Sequence, residues 1–132
     1  MRRKSPEWCG GEDIMAKTVI FIFHGDDASL NAGSHVAERV RQIADDVDVE
    51  LEVYCFGPAQ AAITSAVDDE VHVEYRAQID ALAAAGVRVS ACLNAAVADG
   101  TENELRNRGI LLEYARDAFA RYGLEGAAVI SF

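Results

Sequence analysis

The sequence predicts an α/β fold, a three-layer sandwich built on a mostly parallel five-stranded sheet. Five apolar segments rich in β-branched or aromatic residues alternate with segments whose apolar residues recur every three or four positions, the spacing of amphipathic helices. Strands that alternate with helices form parallel sheets, because each right-handed crossover returns the chain to the same edge of the sheet. We expect flavodoxin-like winding, in which the first and third strands are neighbours.

The first two strands differ in their apolar pattern. Thr18 to Phe23 is a continuous apolar run, which is typical of a strand buried on both faces. A helix follows, and Ser29 is its expected capping residue. Glu50 to Phe56 forms the second strand and ends at Gly57-Pro58. Because acidic and apolar residues alternate at its start, we expect this strand to lie nearer an edge than the first.

The rest of the chain continues the alternation of helix and strand. The predicted elements are a short helix from Ala59 to Ser65, a helix from Val73 to Ala85 closed by Gly86, a strand from Val87 to Ala91, a short helix from Cys92 to Ala98, a strand from Ile110 to Glu113, a helix from Ala115 to Tyr122 ended by Gly123, and a strand from Ala127 to Phe132. Thr101 and Glu104 have the spacing of a capping box, which predicts one more turn of helix.

Composition limits the partners of the chain. Its 132 residues fit one domain, and a hydrophobic fraction of 51% supplies a substantial core. The formal net charge is -10, so neither a nucleic acid nor an anionic membrane is an expected partner, because both attract clustered lysine and arginine.

The N-terminal segment is polar and contains proline and glycine. We expect residues 1–14 to be a flexible tail in front of a single domain over residues 15–132. The tail lacks the apolar stretch of a signal peptide, and no run in the chain approaches the roughly 20 apolar residues of a membrane-spanning helix. These features predict a cytoplasmic protein.

Three cysteines are spread along the chain, at Cys9 in the tail, at Cys55 inside the second strand and at Cys92. They form no CxxC pair and have no metal-ligand spacing with the histidines, and no glycine-rich phosphate loop is present. We therefore predict no metal and no cofactor, and we expect Cys55 to be a core residue.

Cys92 is the candidate reactive residue, because it lies where a buried strand turns into a short helix. The first backbone N–H groups of a helix have no partners within the helix and carry partial positive charge, which favours a thiolate. A small buried hydrophobic residue is the alternative, since most free cysteines have that role.

The other candidate site residues also follow strands, at the sheet edge where α/β proteins bind ligands. If the first and third strands are neighbours, His24 can orient or deprotonate Cys92; otherwise it is a hydrogen-bonded loop residue. Gly25 and Gly57 would line the same cleft. Asn94 can bond a sulfur atom or an anion, or can simply begin the helix.

One segment points to a known family. The letters CFGP at Cys55 to Pro58, and above all GVRVSACLNAAVADG at Gly86 to Gly100, resemble the DsrE/DsrF/TusD-like family of small sulfur-handling proteins. The likeness extends over nearly all of residues 15–132. It implies that Cys92 corresponds to the cysteine that carries sulfur as a persulfide in active members. It also implies a homo-oligomer, a trimer or a hexamer, and a sulfur-donor or sulfur-acceptor protein as partner.

These observations favour a sulfur-relay protein, either a carrier or a sulfurtransferase subunit. A non-enzymatic small-molecule-binding module would use the same cleft without the thiol, and an assembly subunit would keep Cys92 buried. A cysteine hydrolase is the least favoured class, because its base and its acid would have to be His24 and Asp26, two residues apart on one segment.

Overall fold

The computed structural model of the protein describes residues 16–132, in which five strands alternate with six helices. In chain order the elements are β1 (Ala16–Ile22), α1 (Asp27–Ala44), β2 (Val49–Cys55), α2 (Gly57–Thr64), α3 (Glu70–Ala84), β3 (Arg88–Cys92), α4 (Leu93–Asp99), α5 (Glu102–Asn107), β4 (Leu111–Glu113), α6 (Ala115–Glu125) and β5 (Ala128–Ser131). The predicted tail, with Cys9, lies outside the described residues.

The strands form one parallel sheet in the order β4-β3-β2-β1-β5, with helices on both faces. The predicted three-layer α/β sandwich is therefore confirmed. The flavodoxin-like winding is wrong, because β2 separates β1 from β3. From β1 to β4 every crossover moves the chain in the same direction, and only the α6 crossover places β5 on the other side of β1. Both windings use right-handed crossovers, so the alternation of elements does not distinguish them.

The second strand is central, although its early alternation predicted a position nearer an edge. β2 pairs with β1 on one side and with β3 on the other. Glu52, the residue that produced the alternation, is 1% exposed and accepts hydrogen bonds from Lys17 and Arg121. The acidic residue thus faces an ion-pair cluster under α6 instead of water.

Two cores lie on the two faces of the sheet. The larger lies under α1 to α5, and its principal side chains are Ile20, Ile22, Leu30, Val53, Cys55, Ile63, Tyr75, Ile79, Leu82, Val89 and Leu105. The smaller lies under α6 and contains Val19, Tyr54, Ala118 and Tyr122. Successive side chains of a strand point to opposite faces. Because Val89 and Ala91 belong to the larger core, Cys92 lies on the α6 face.

Two predicted caps and one predicted stop differ from the observed ones, and α2 and α3 begin earlier than predicted, at Gly57 and Glu70. Asp26 caps α1 and accepts hydrogen bonds from the backbone and the hydroxyl of Ser29, so the predicted cap is the donor. Thr101 precedes α5 but makes no side-chain cap bond, so the predicted capping box is not formed. Helix α6 continues past Gly123 and ends at Gly126, whose φ of 65° suits the left-handed region. Within residues 16–132 no helix is long and apolar enough to cross a membrane.

Candidate functional site

A cleft of about 590 Å³ opens at the carboxyl ends of β2 and β3, beside the first turn of α6. Its lining combines a thiol, an amide, a guanidinium and aromatic rings, supplied by Phe56, Cys92, Asn94, Ala95, Tyr114, Ala115 and Arg116. Three separate segments contribute: the residue after β2, the β3–α4 junction and the β4–α6 junction. Their convergence makes this cleft the candidate functional site.

Cys92 is the last residue of β3 and the cap residue of α4, with extended backbone angles of φ -74° and ψ 122°. This change from strand to helix turns the chain at the edge of the sheet. The residue is only 5% exposed, although it lines the open cleft. Cys92 is thus a largely buried residue in the wall of the cleft.

Gln60 fixes the backbone of Cys92. Its side-chain Nε2 donates to the Cys92 carbonyl at 3.0 Å, and its Oε1 accepts from the Cys92 N–H at 3.0 Å. The last β2–β3 pair is Cys55 with Ala91, so Cys92 lies beyond the end of β2. The amide of the buried Gln60 takes the place of the missing strand neighbour. No local pattern in the sequence indicates this contact, because the two partners are 32 residues apart.

Tyr54 lies beneath the site on the α6 side of β2. Its hydroxyl donates to the backbone carbonyl of Glu113 at 2.9 Å. Burial raises the pKa of Tyr54 far above its usual value, and the neighbouring Cys92 raises it further. The phenol therefore stays protonated and neutral beside Cys92 at physiological pH.

Arg116 is the charged residue that sequence reasoning missed at this cleft. Near Cys92 the sequence offers no basic neighbour, but the first turn of α6 brings Arg116 to the cleft wall. The Arg116 Nε donates to Asp117 at 3.0 Å, and the guanidinium lies 6.0 Å from the centre of the Tyr114 ring. Only knowledge of the α6 crossover could have revealed this neighbour.

The structure separates His24 from Cys92. With β2 between β1 and β3, two strand spacings of about 4.8 Å each lie between the ends of those strands. His24 does not line the Cys92 cleft and packs edge-on against Phe23, with ring centres 5.2 Å apart. The hypothesis that His24 approaches Cys92 depended on neighbouring strands, and that premise is wrong.

The two candidate glycines have packing roles, and Asn94 joins Cys92. Gly57 has a φ of 59°, and a Cβ there would lie 2.5 Å from the Phe23 ring. Gly25 lies against Pro58 and lines a second cleft, of about 440 Å³. Of the predicted site residues, only Asn94 shares the cleft with Cys92.

Cys55 contrasts with Cys92 in its surroundings. It lies in the larger core, as predicted, and its Sγ accepts a hydrogen bond from Tyr75 at 3.6 Å. Burial raises the pKa of the Cys55 thiol to about 12, partly offset by the Tyr75 hydroxyl. This cysteine is consequently a protonated core residue.

One group of side chains has the composition of a metal site. The ligand atoms of Asp27, Asp69 and His72 lie within 4.8 Å of one another. Asp69 already caps α3, because its Oδ1 accepts from the His72 backbone N–H at 2.9 Å and lies 2.8 Å from Nδ1. Helix capping thus brings Asp69 and His72 together, and Asp27, the first residue of α1, lies beside them.

The fold and the cleft define a parallel α/β sandwich domain with a cysteine at the end of its third strand. Solved structures with the same fold include the conserved protein of unknown function BT1422 from Bacteroides thetaiotaomicron, with a TM-score of 0.70 and 15% sequence identity over 88% of this chain and 94% of that one. The ychN protein from E. coli has a TM-score of 0.66 and 15% identity over 88% of this chain and 99% of its own. The protein of unknown function MTH1491 from Methanobacterium thermoautotrophicum has a TM-score of 0.64 and 23% identity over 89% of this chain and 99% of its own. No family model and no curated protein matches the chain in sequence. At these identities the likeness shows the fold alone.

Proposed function

We propose that the protein is a DsrE-like sulfur-relay protein in which Cys92 accepts sulfane sulfur as a persulfide and passes it to a cysteine of a partner. The observation that carries this proposal is the position of Cys92 in the wall of an open cleft, with its backbone fixed by Gln60. The sequence resemblance at Gly86 to Gly100 supports it independently.

The chemistry requires one accessible thiolate and no second cysteine in the chain. The Cys92 sulfur attacks the sulfane sulfur of a donor and the donor's S–S bond breaks. The rest of the donor leaves with the electron pair, and the sulfane sulfur stays on Cys92. A partner's thiolate then attacks the outer sulfur of the persulfide and releases the Cys92 thiolate. A reducing cytoplasm, where thiols remain free, is the compartment that suits this cycle.

We further propose that the working form is a homo-oligomer, a trimer or a hexamer. The edge strand β5 and the end of α6 carry exposed apolar side chains at Leu124, Val129 and Ile130. Burial of such side chains between copies would stabilise an assembly. Light scattering coupled to size-exclusion chromatography tests this, and a monomer at micromolar concentration would contradict it.

The decisive experiment is intact-protein mass spectrometry after incubation with inorganic polysulfide. With Cys9 replaced by serine in every variant, so that only Cys55 and Cys92 remain, we expect the chain with Cys92 intact to gain the mass of one sulfur atom and Cys92→Ser to gain none. Cys55→Ser is the matched control and should load like the wild type, because Cys55 is fully buried. Equal loading of the wild type and Cys92→Ser would overturn the proposal.

A binding module without sulfur chemistry is the second candidate function. The 5% exposure of Cys92 favours it, since the aromatic walls could hold a ligand without any reaction at the thiol. In that case Cys92→Ser would keep full affinity for the ligand, and the native thiol would resist alkylation.

A further inference from the structure

We infer that the Cys92 cleft selects small anionic sulfur donors, such as thiosulfate and inorganic polysulfide, and that Arg116 is the specificity-determining residue that binds their negative charge. This inference rests on the proposed function and adds the chemical class of the donor. It follows from the cleft lining, the hydrogen bonds of Arg116 and the charge of the rest of the molecule.

The cleft lining pairs one cation with neutral groups. Arg116 is the charged residue of the lining, and Asn94 and Tyr114 add an amide and a phenol hydroxyl that can donate to oxygen or sulfur. The Asp117 carboxylate is held through Nε of Arg116, an interaction that uses none of the donors on the two terminal nitrogens. A guanidinium with those donors available matches an oxyanion.

The partner of Arg116 differs from those of the other arginines on the α6 side. Arg121 binds the buried Glu52 and also Glu113, so its charge is neutralised inside an ion-pair cluster. Arg116 is 84% exposed, and its partner Asp117 is exposed as well. Exposed pairs contribute little free energy, so an incoming anion can compete for Arg116.

The net charge of the chain makes this local cation significant. At a formal charge of -10 the protein repels anions in general. An anionic donor that reaches Cys92 therefore needs a positive group at the cleft. Arg116 supplies that group within the wall that contains the thiol.

The proposed reaction with thiosulfate balances without another reagent. The Cys92 thiolate forms a bond to the sulfane sulfur, the S–S bond of thiosulfate breaks, and sulfite leaves with the electron pair. Negative charge moves from Cys92 towards the sulfite oxygens. Arg116 would bind those oxygens before and after the transfer.

The first test compares alkylation of Cys92 by iodoacetate, which is anionic, and by iodoacetamide, which is neutral and of similar size. The ratio of the two rates is measured by peptide mass mapping, so that intrinsic thiol reactivity cancels. We expect Arg116→Gln to lower the iodoacetate-to-iodoacetamide ratio by about two- to fivefold, the range for exposed charge pairs. Arg116→Lys keeps the positive charge, so its ratio should stay close to that of the wild type. Arg106→Gln, which removes an exposed arginine of α5, should leave the ratio unchanged.

Three results of this test would overturn the inference. The ratio could be the same in Arg116→Gln and in the wild type. It could fall equally in Arg106→Gln, which would indicate a general effect of net charge. Finally, Cys92 of the native protein could react with neither reagent, which would show that small molecules do not reach the thiol.

A second test separates this inference from the proposed function. Sulfur loading of Cys92 is followed with thiosulfate and with a neutral organic trisulfide, in the wild type and in Arg116→Gln. The expected result is slower loading from thiosulfate alone in the variant. Loading from both donors at rates that Arg116→Gln does not change overturns the donor class and leaves the sulfur-relay function standing. Loading from neither donor overturns the sulfur-relay function, and the alkylation ratio still decides whether the cleft prefers anions.

Discussion

Gln60 holds Cys92 by both of its backbone groups, with two hydrogen bonds of 3.0 Å between the side-chain amide and the Cys92 peptide groups. The amide belongs to α2, which follows β2 directly, so the end of one strand fixes the end of the next. The orientation of the Cys92 side chain in the cleft consequently depends on a residue that does not line it.

Replacement of Gln60 by leucine should therefore affect both stability and the reactivity of Cys92. The variant leaves a buried N–H and a buried C=O unpaired, which costs about 1 to 3 kcal/mol for each group. We expect a lower free energy of unfolding in urea and an altered rate of Cys92 alkylation. Gln42→Leu, at an exposed position of α1, is the control. Equal stability of the two variants would show that the two hydrogen bonds of Gln60 to Cys92 do not stabilise the fold.

Glu52 should contribute stability that depends on pH. Burial alone would raise its pKa, but hydrogen bonds from Arg121 and Lys17 outweigh burial and lower the pKa from 4.5 to about 2. Because the pKa is lower in the folded state, the stabilisation is present above pH 4.5 and is lost as the pH falls towards 2. Glu52→Gln should cost up to about 3 kcal/mol near neutral pH, the free energy that corresponds to this lowering of the pKa. Lys17 and Arg121 would then keep only their other partners, Glu125 and Glu113.

The pH dependence is read from the difference in unfolding free energy between the wild type and Glu52→Gln. That difference should shrink as the pH falls below 4.5. Glu50→Gln is the matched control, because Glu50 lies on the same strand but is exposed. A difference that stays constant across this pH range would contradict the assignment of a charged Glu52 to the folded state.

The same residue shows why strand order was harder to predict than strand position. The spacing and composition of apolar residues located all five strands, because these signals come from residues that are close in sequence. An acidic residue in a strand usually lies on a solvent-facing side. Glu52 is buried instead, because it binds Lys17 of β1 and Arg121 of α6. Sequence pattern does not contain such distant pairings, so β2 was placed nearer an edge than it is.

The site shows the same division between local and distant information. Cys92 and Asn94 share the cleft because both lie at one strand–helix junction. Arg116 and Gln60 reach Cys92 only through the α6 crossover and the position of α2 against β3. His24 was placed beside Cys92 on the assumption of a strand order that the fold does not have.

Gly57 should tolerate no side chain, for two separable reasons. Its φ of 59° strains any L-residue, which costs about 1 kcal/mol. A Cβ would also meet the Phe23 ring at 2.5 Å. Gly100→Ala is the matched control, because its φ is 69° and a Cβ there meets nothing within 4 Å. In thermal unfolding followed by circular dichroism, Gly57→Ala should lose more stability than Gly100→Ala. Equal losses would show that the Phe23 ring moves aside without a cost in stability.

The two cysteines of the described chain should react very differently with iodoacetamide. Cys55 is fully buried, and its pKa is raised to about 12 by burial, so almost none of it is thiolate in the folded protein. Cys92 lines an open cleft. Peptide mass mapping of the native protein should therefore show labelling of Cys92 long before Cys55, with both labelled in concentrated urea.

The protonated state of Cys55 also predicts that its native labelling stays slow when the pH is raised from 7 to 9, since only about 1 in 1,000 of its thiols would ionise at the higher value. Comparable native rates at the two cysteines would mean that the thiols do not differ in access, and the case for Cys92 as the reactive residue would fall.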